Sequence, residues 1–305
     1  MKVPHLGLFA SGGVSLLLVG SFFVLPFLGL LVAPLGLLPI LHHLAWARRG
    51  WRAWAWVVVA LAGLSVAVGG GFPLQLLVLY LLVVVVPAVG VQLFDAADWE
   101  EGRWIAVTSL AGVVLCLGMI AAAAAPEPPV SAVGGWIRDA AAAVEAQYRE
   151  MGVSQGEIEL ALDRLEAYGV WVAPSTLSAY LVTVLFWIRP RLRLLGFDVP
   201  AGSFEEYRSE PWLPAVFAFA GIGTLVLGGT PRWFALNLLL AVLMLYFAHG
   251  LAIIRAHAAR WLGRHWAVRW LMALLCLIIP LPVAILGVAD SFYELRPGAA
   301  DGGER

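Results

Sequence analysis

The chain has 305 residues, of which 62% are hydrophobic and 13% charged, with a formal net charge of −1, whereas a soluble domain is roughly half apolar and about one quarter charged. So little charge cannot cover a soluble surface, and successive apolar runs of about 20 residues, each able to cross the hydrocarbon core, predict an all-α, polytopic membrane protein. A single lysine, Lys2, excludes a Walker A ATPase, whose loop needs a lysine on the phosphates; no nucleic-acid partner, cofactor or metal is expected.

Between Lys2 and Arg48 the chain has no Asp, Glu, Lys or Arg, and Pro26, Pro34 and Pro39 interrupt the run. Two spans are expected there, at 6–25 and 27–46; one kinked span plus a re-entrant segment is the alternative, because prolines are tolerated within spans. A cleaved signal peptide is not expected. The A-x-A-like site at Ala45 and Ala47 lies beyond the usual 15 to roughly 30 residues, and Arg48 and Arg49 follow it as a stop-transfer signal. Gly7, Ser11 and Ser15 fall four apart on the first span, the small-residue spacing that permits close helix approach. Internal packing is one reading of that face, docking of a membrane partner the other.

The basic turn 48–52 precedes a third span at 53–69, closed by the glycine-rich turn 69–73. A fourth span is expected at 73–93 and, after the charged loop 95–103, a fifth at 104–125, ended by Pro126, Pro128 and Pro129. Later spans are expected at 171–188, 212–229, 233–254 and 266–289. The total is about nine, or eight if the first pair is one. Residues 1–125 thus form an N-terminal bundle, 126–170 a separate insert, 171–289 a C-terminal bundle and 290–305 a polar tail. Cys116 and Cys276 lie inside apolar runs and read as packing residues.

In the insert, Ile137, Ala141, Val144, Tyr148 and Met151 recur at helical spacing against Arg138, Glu145 and Arg149. Gly152 breaks this pattern. Ser154 with Glu157 then makes a capping box for a second helix carrying Ile158, Leu162 and Leu165. Three arginines stand against eight acidic residues, which predicts an acidic amphipathic helical hairpin. Alternate loops hold thirteen and six of the nineteen Lys and Arg residues, and the basic side faces the cytoplasm. The N-terminus is then cytoplasmic, with the hairpin and the C-terminus outside the bacterial inner membrane. Tryptophans 46, 51, 54, 104, 171, 187, 212, 233, 266 and 270 fall near span ends, where indole rings favour the headgroups.

No Asp, Glu, Lys or Arg stands in the middle of an expected span, so a carboxylate proton relay is not expected. The polar residues within spans are Gln75, Thr108, Ser109, Thr183, Thr224 and Asn237, and HExxH, GxSxG and EF-hand patterns are absent. The stretch 231–255, PRWFALNLLLAVLMLYFAHGLAIIR, carries the candidate ligand contacts Asn237, Tyr246 and His249. Asn237 sits about one turn from the outer end and reads chiefly as a bond between helices, with ligand contact the alternative. Tyr246 and His249, three apart, share a face near the cytoplasmic end, where amphipathic rings are expected anyway. The three are not expected to form one site, and a ligand arriving from outside is expected near Asn237. His42 and His43 point apart on a helix, while His257 and His265 read as solvated.

Three stretches, SFEEYRSEPW (203–212), LNLLLAVLMLYFAHGLAII (236–254) and GVADSFYELR (287–296), resemble in order and spacing the YybS-like family of bacterial membrane proteins, a family of unknown function. The family's usual residue before the glycine is an amide, where this chain has His249. The resemblance implies a likeness to the substrate-binding membrane components of energy-coupling-factor uptake systems. By that likeness the face of Gly7, Ser11 and Ser15 docks a transmembrane partner, and ATPases act in trans. The expected function is a solute-binding transport component rather than an enzyme. The alternative is a structural or assembly protein of the cell envelope acting through 126–170, and an intramembrane enzyme using Asn237, Tyr246 and His249 comes third.

Overall fold

The computed structural model describes residues 40, 44, 81–97, 99–150, 152–192, 197, 204–261, 276, 278–293 and 295. The first three expected spans, with Gly7, Ser11 and Ser15, lie outside the described residues except for Ile40 and Leu44, and so does the tail beyond residue 295. The described residues are helical throughout their ordered elements. A π turn, Leu81–Val85, leads into α1 (Val86–Ala97), followed by α2 (Glu101–Ala124), α3 (Pro129–Glu150) and α4 (Gln155–Arg164). A second π turn, Leu165–Gly169, joins α4 to α5 (Val170–Leu192). A 3-10 turn, Phe204–Glu206, precedes α6 (Leu213–Val226), α7 (Gly229–Trp261) and α8 (Pro280–Tyr293).

The boundaries follow from local chemistry. Ser154 caps α4 through a reciprocal box: its hydroxyl accepts from the Glu157 N–H, and the Glu157 carboxylate accepts from the Ser154 N–H at 3.1 Å. Gly152 makes the preceding turn at φ 84°, a left-handed conformation that suits glycine. α6 and α7 are joined by only Leu227 and Gly228, and Gly229 at φ 57° takes the reversal. Pro280 opens α8 after a bend at Ile279, in the first-turn position where its missing N–H costs no bond.

Three helical stretches are long and apolar enough to cross a membrane, Glu101–Ala124, Gln155–Leu192 and Gly229–Ala258. The second reports a difference from the sequence reading. The second arm of the expected hairpin does not end at residue 170 but runs on into the following span, because the π turn absorbs the irregularity without breaking the helix. The span expected at 212–229 also differs, while most of the first half of the one expected at 266–289 lies outside the described residues. α6 has 14 residues, a rise of about 21 Å against a hydrocarbon core of about 30 Å, and the described part of the last span is the 14-residue α8.

α7 is the axis of the bundle, packing against α8, α6, α5 and α2. Trp233, Ala241, Val242, Leu245, Tyr246 and Ala252 on it are fully buried. Phe219, Ile222, Leu225 and Val226 on α6 remain exposed, a surface suited to lipid as solvent. Two of the tryptophans expected at the headgroup level, Trp104 and Trp233, are instead fully buried; their rings fill the core beside neighbouring helices. α7 and α8 approach so closely that a Cβ on Gly250 would overlap the Val283 carbonyl oxygen, and one on Gly287 the Tyr246 carbonyl oxygen.

Candidate functional site

Asn237 lies where α5 is broken. Pro174 stands inside α5 and has no N–H to give to the Val170 carbonyl one turn back. The Trp233 indole Nε1 donates to that carbonyl at 2.9 Å. One residue on, the Ser175 N–H donates to Asn237 Oδ1 at 3.0 Å, while Asn237 Nδ2 donates to the Trp171 carbonyl and to the Trp233 carbonyl, each at 2.9 Å. The amide is thus inserted into the helical ladder, with both its ends engaged, and a neighbouring helix satisfies the groups that a proline leaves open. Asn237→Ala is expected to lower stability by about 2 kcal/mol, because it strands a buried N–H and a buried C=O. Thermal unfolding in mild detergent checks this, and an unchanged midpoint contradicts it.

A second polar centre lies further along α7, built on the segment 204–212. Phe186 of α5 meets Phe204 and Tyr207 edge to face, with ring centroids 4.9 and 4.8 Å apart. The Arg255 guanidinium stacks over the Phe204 ring at 5.7 Å and pairs with Glu205 at 2.7 Å. On the other flank, the buried Glu210 carboxylate accepts from Trp212 Nε1 at 3.1 Å and from Arg103 Nε at 3.4 Å. A Cβ on Gly102 would overlap the Arg208 carbonyl oxygen, so α2 touches the segment backbone directly. Arg189 of α5 pairs with Glu101 of α2 at 2.8 Å. The segment is therefore fixed to α2, α5 and α7 at once.

That fixing brings Ser209 Oγ to 2.8 Å from His249 Nδ1. The other ring nitrogen, Nε2, lies 2.9 Å from Asp290 Oδ2 of α8. Asp290 Oδ1 accepts from the Leu295 N–H at 2.6 Å, which orients the carboxylate. His249 and Asp290 are buried and Ser209 is half-buried. With Asp290 ionised, Nε2–H donates to it and the Nδ1 lone pair accepts the Ser209 hydroxyl. The arrangement links a hydroxyl, an imidazole and a carboxylate in one line.

Tyr207 packs edge to face on the His249 ring, centroids 6.3 Å apart. Burial, and then the negative charge of Glu101 and Glu210, push its phenol well above the ordinary range, so it stays neutral. Tyr246 is fully buried and meets Phe217 edge to face at 5.9 Å. Its hydroxyl faces the Ser291 side chain without completing a hydrogen bond of ordinary geometry. Glu101 Oε1 is likewise buried with no hydrogen-bond partner among the described residues.

Of the residues expected to bind ligand, Tyr246 and His249 belong to this centre. Asn237 stands twelve residues earlier on α7, about 18 Å along the axis, and serves the α5 repair. Gly7, Ser11 and Ser15 lie outside the described residues. Ser209, Asp290, Glu101, Arg189 and Glu210 were not singled out by the sequence reading, although Ser209, His249 and Asp290 sit one each in the three stretches that carry the family resemblance. No group of three His, Cys, Asp or Glu side chains able to hold a metal occurs among the described residues.

No curated protein and no solved structure matches the chain. A family model described as "Predicted membrane protein (DUF2232)" matches residues 13–291, a range that includes Ser209, His249 and Asp290. A match over that much of the sequence makes this chain a member of the DUF2232 family of predicted membrane proteins.

Proposed function

We propose that the protein is a transport component of the bacterial inner membrane that binds a small polar solute at the centre around His249. The observation that carries this reading is a pair of buried polar atoms, Glu101 Oε1, left without a hydrogen-bond partner among the described residues, and the Tyr246 hydroxyl, which faces Ser291 without a bond of ordinary geometry. Both are electrostatic neighbours of Tyr207, in a cluster fixed by four helices and a loop. Buried polar groups are ordinarily satisfied, and exceptions mark places where a further molecule or a function belongs. An acceptor and a hydroxyl together suit a solute with donor groups. In this reading the N-terminus and the His249 centre lie toward the cytoplasm, and residues 126–170 lie outside. Energy comes from ATPases in trans, in keeping with Lys2 being the only lysine, as in the energy-coupling-factor systems that the YybS-like resemblance suggests.

Native mass spectrometry from mild detergent tests this. The expected result is a retained small molecule in the wild type that is lost from Glu101→Gln and Tyr246→Phe. Absence of any bound small molecule, together with absence of an ATPase or second membrane protein, overturns it. A second reading, an envelope assembly protein acting through 126–170, is favoured by the exposed Leu160, Leu165 and Tyr168 on that insert. Deleting the insert then abolishes function while membrane insertion persists.

A further inference from the structure

We infer that Ser209, His249 and Asp290 form a proton wire that carries a proton from the half-buried edge of the 204–212 segment to the buried carboxylate of α8. The wire itself stands on the geometry; its coupling to a solute rests on the transport reading above.

The three groups are spaced for transfer, 2.8 Å from Ser209 Oγ to His249 Nδ1 and 2.9 Å from Nε2 to Asp290 Oδ2, and their burial increases in that order from half-buried to buried. A histidine that merely filled the core would need one partner for its N–H. Here both nitrogens are engaged, by groups on two different elements, and the carboxylate is itself oriented by the Leu295 N–H. The imidazole is the side chain best suited to such duty, since it takes a proton on one nitrogen and gives one from the other.

The surrounding charges leave Asp290 as the group that answers His249. From α2 and α5, Glu101 and Arg189 pair with each other. Arg103 of α2 pairs with Glu210 of the loop, and Arg255 of α7 with Glu205. Glu206 and Arg208 are exposed. Tyr207 from the loop faces the ring as a neutral phenol, and α6 presents no titratable side chain. Among the described residues each facing arginine thus already has a glutamate, and the carboxylate within hydrogen-bond distance of His249 is Asp290.

The step balances without a co-reactant. The Ser209 hydroxyl proton passes to Nδ1 as the oxygen takes another from a hydronium ion of the solvent, which leaves as water, and the ring becomes imidazolium. The Nε2 proton then passes to Asp290 Oδ2. One proton has moved from hydronium to the carboxylate, the serine hydroxyl is restored, and His249 is left neutral in its Nδ1–H tautomer.

Infrared difference spectra of the full chain in bilayers, taken as pH is stepped with ring-labelled histidine incorporated, read both groups without any solute. The expected wild-type result is a protonated-carboxyl band and a histidine ring change that share a midpoint, with any separate Glu101 band identified by its loss in Glu101→Gln. Asp290→Asn removes the carboxyl band and moves the ring midpoint, while Asp290→Glu displaces the band without removing it. Ser209→Ala keeps the midpoint but slows proton–deuteron exchange into the pair by about 100-fold, and Ser209→Thr restores the rate, which a purely structural hydroxyl would not do. No linked bands in the wild type, survival of the histidine-linked carboxyl band in Asp290→Asn, or wild-type exchange in Ser209→Ala each overturns the wire. A chain that retains a solute but lacks linked bands loses the wire alone, whereas linked bands with no solute leave the wire standing and remove the transport reading.

Discussion

Arg189→Ala is expected to destabilise the folded protein by about 4 kcal/mol, because it leaves the Glu101 carboxylate buried without its counter-charge. The pair is 2.8 Å apart, with its side chains 10% and 18% exposed, so water supplies little compensation. It also joins the end of α5 to the start of α2, beneath the segment that positions Ser209. Replacing both partners with apolar residues of similar volume, Arg189→Met with Glu101→Leu, should recover most of the loss, since an uncompensated charge costs more than the absence of a pair. Equilibrium unfolding in mixed micelles reads both variants. A loss below about 1 kcal/mol in Arg189→Ala, the range of a solvated surface pair, contradicts the burial assigned to it.

Gly250→Ala is the second large effect. The added methyl overlaps the Val283 carbonyl oxygen and lies against the α8 backbone up to Gly287, so relief requires the two helices to separate rather than a side chain to turn. Overpacking of this kind costs about 3 kcal/mol. Because His249 and Asp290 stand beside this crossing on α7 and α8, the separation also opens their 2.9 Å contact. The internal control is Gly118→Ala on α2, where a Cβ meets nothing within 4 Å; alanine there is favoured in the helix by up to about 1 kcal/mol. Thermal midpoints that move in opposite directions support the crossing, and equal midpoints contradict it.

The long helices were legible because a membrane span is written as an uninterrupted apolar run. The expected 104–125 is Glu101–Ala124 in the structure, and the expected 171–188 and 233–254 fall within α5 and α7. The capping box at Ser154 was legible for a similar reason, as it needs only residues three apart. The polar centre was not. His249 and Asp290 are 41 residues apart, and a hydropathy run carries no information on which helix faces which. The expected end of the last span at residue 289 put Asp290 in a polar tail, whereas α8 continues to Tyr293. A boundary shift of a few residues thus hid the ionisable group that would have drawn attention to His249. Glu101 and Arg189 were placed in loops for the same reason, yet both are helical. Asn237 was read chiefly as a bond between helices, and its contacts are of that kind, but its partner, the gap opened by Pro174, lies 63 residues earlier and leaves no periodic trace.

The family resemblance reached further than the pattern reading, because the three stretches that carry it are the three that meet around His249. The structure supplies a physical reason for their grouping: one segment pinned by aromatic and ionic contacts, one histidine on the axial helix, and one aspartate on the helix that crosses it at Gly250 and Gly287. The central claim is that these groups interact directly. A double-mutant cycle of His249→Ala, Asp290→Ala and the pair, read as unfolding free energy in one detergent, measures this with the smallest number of assumptions. The account predicts a coupling of about 2 kcal/mol, the range of side chains in contact within one network; losses that add to within about 0.5 kcal/mol would contradict it.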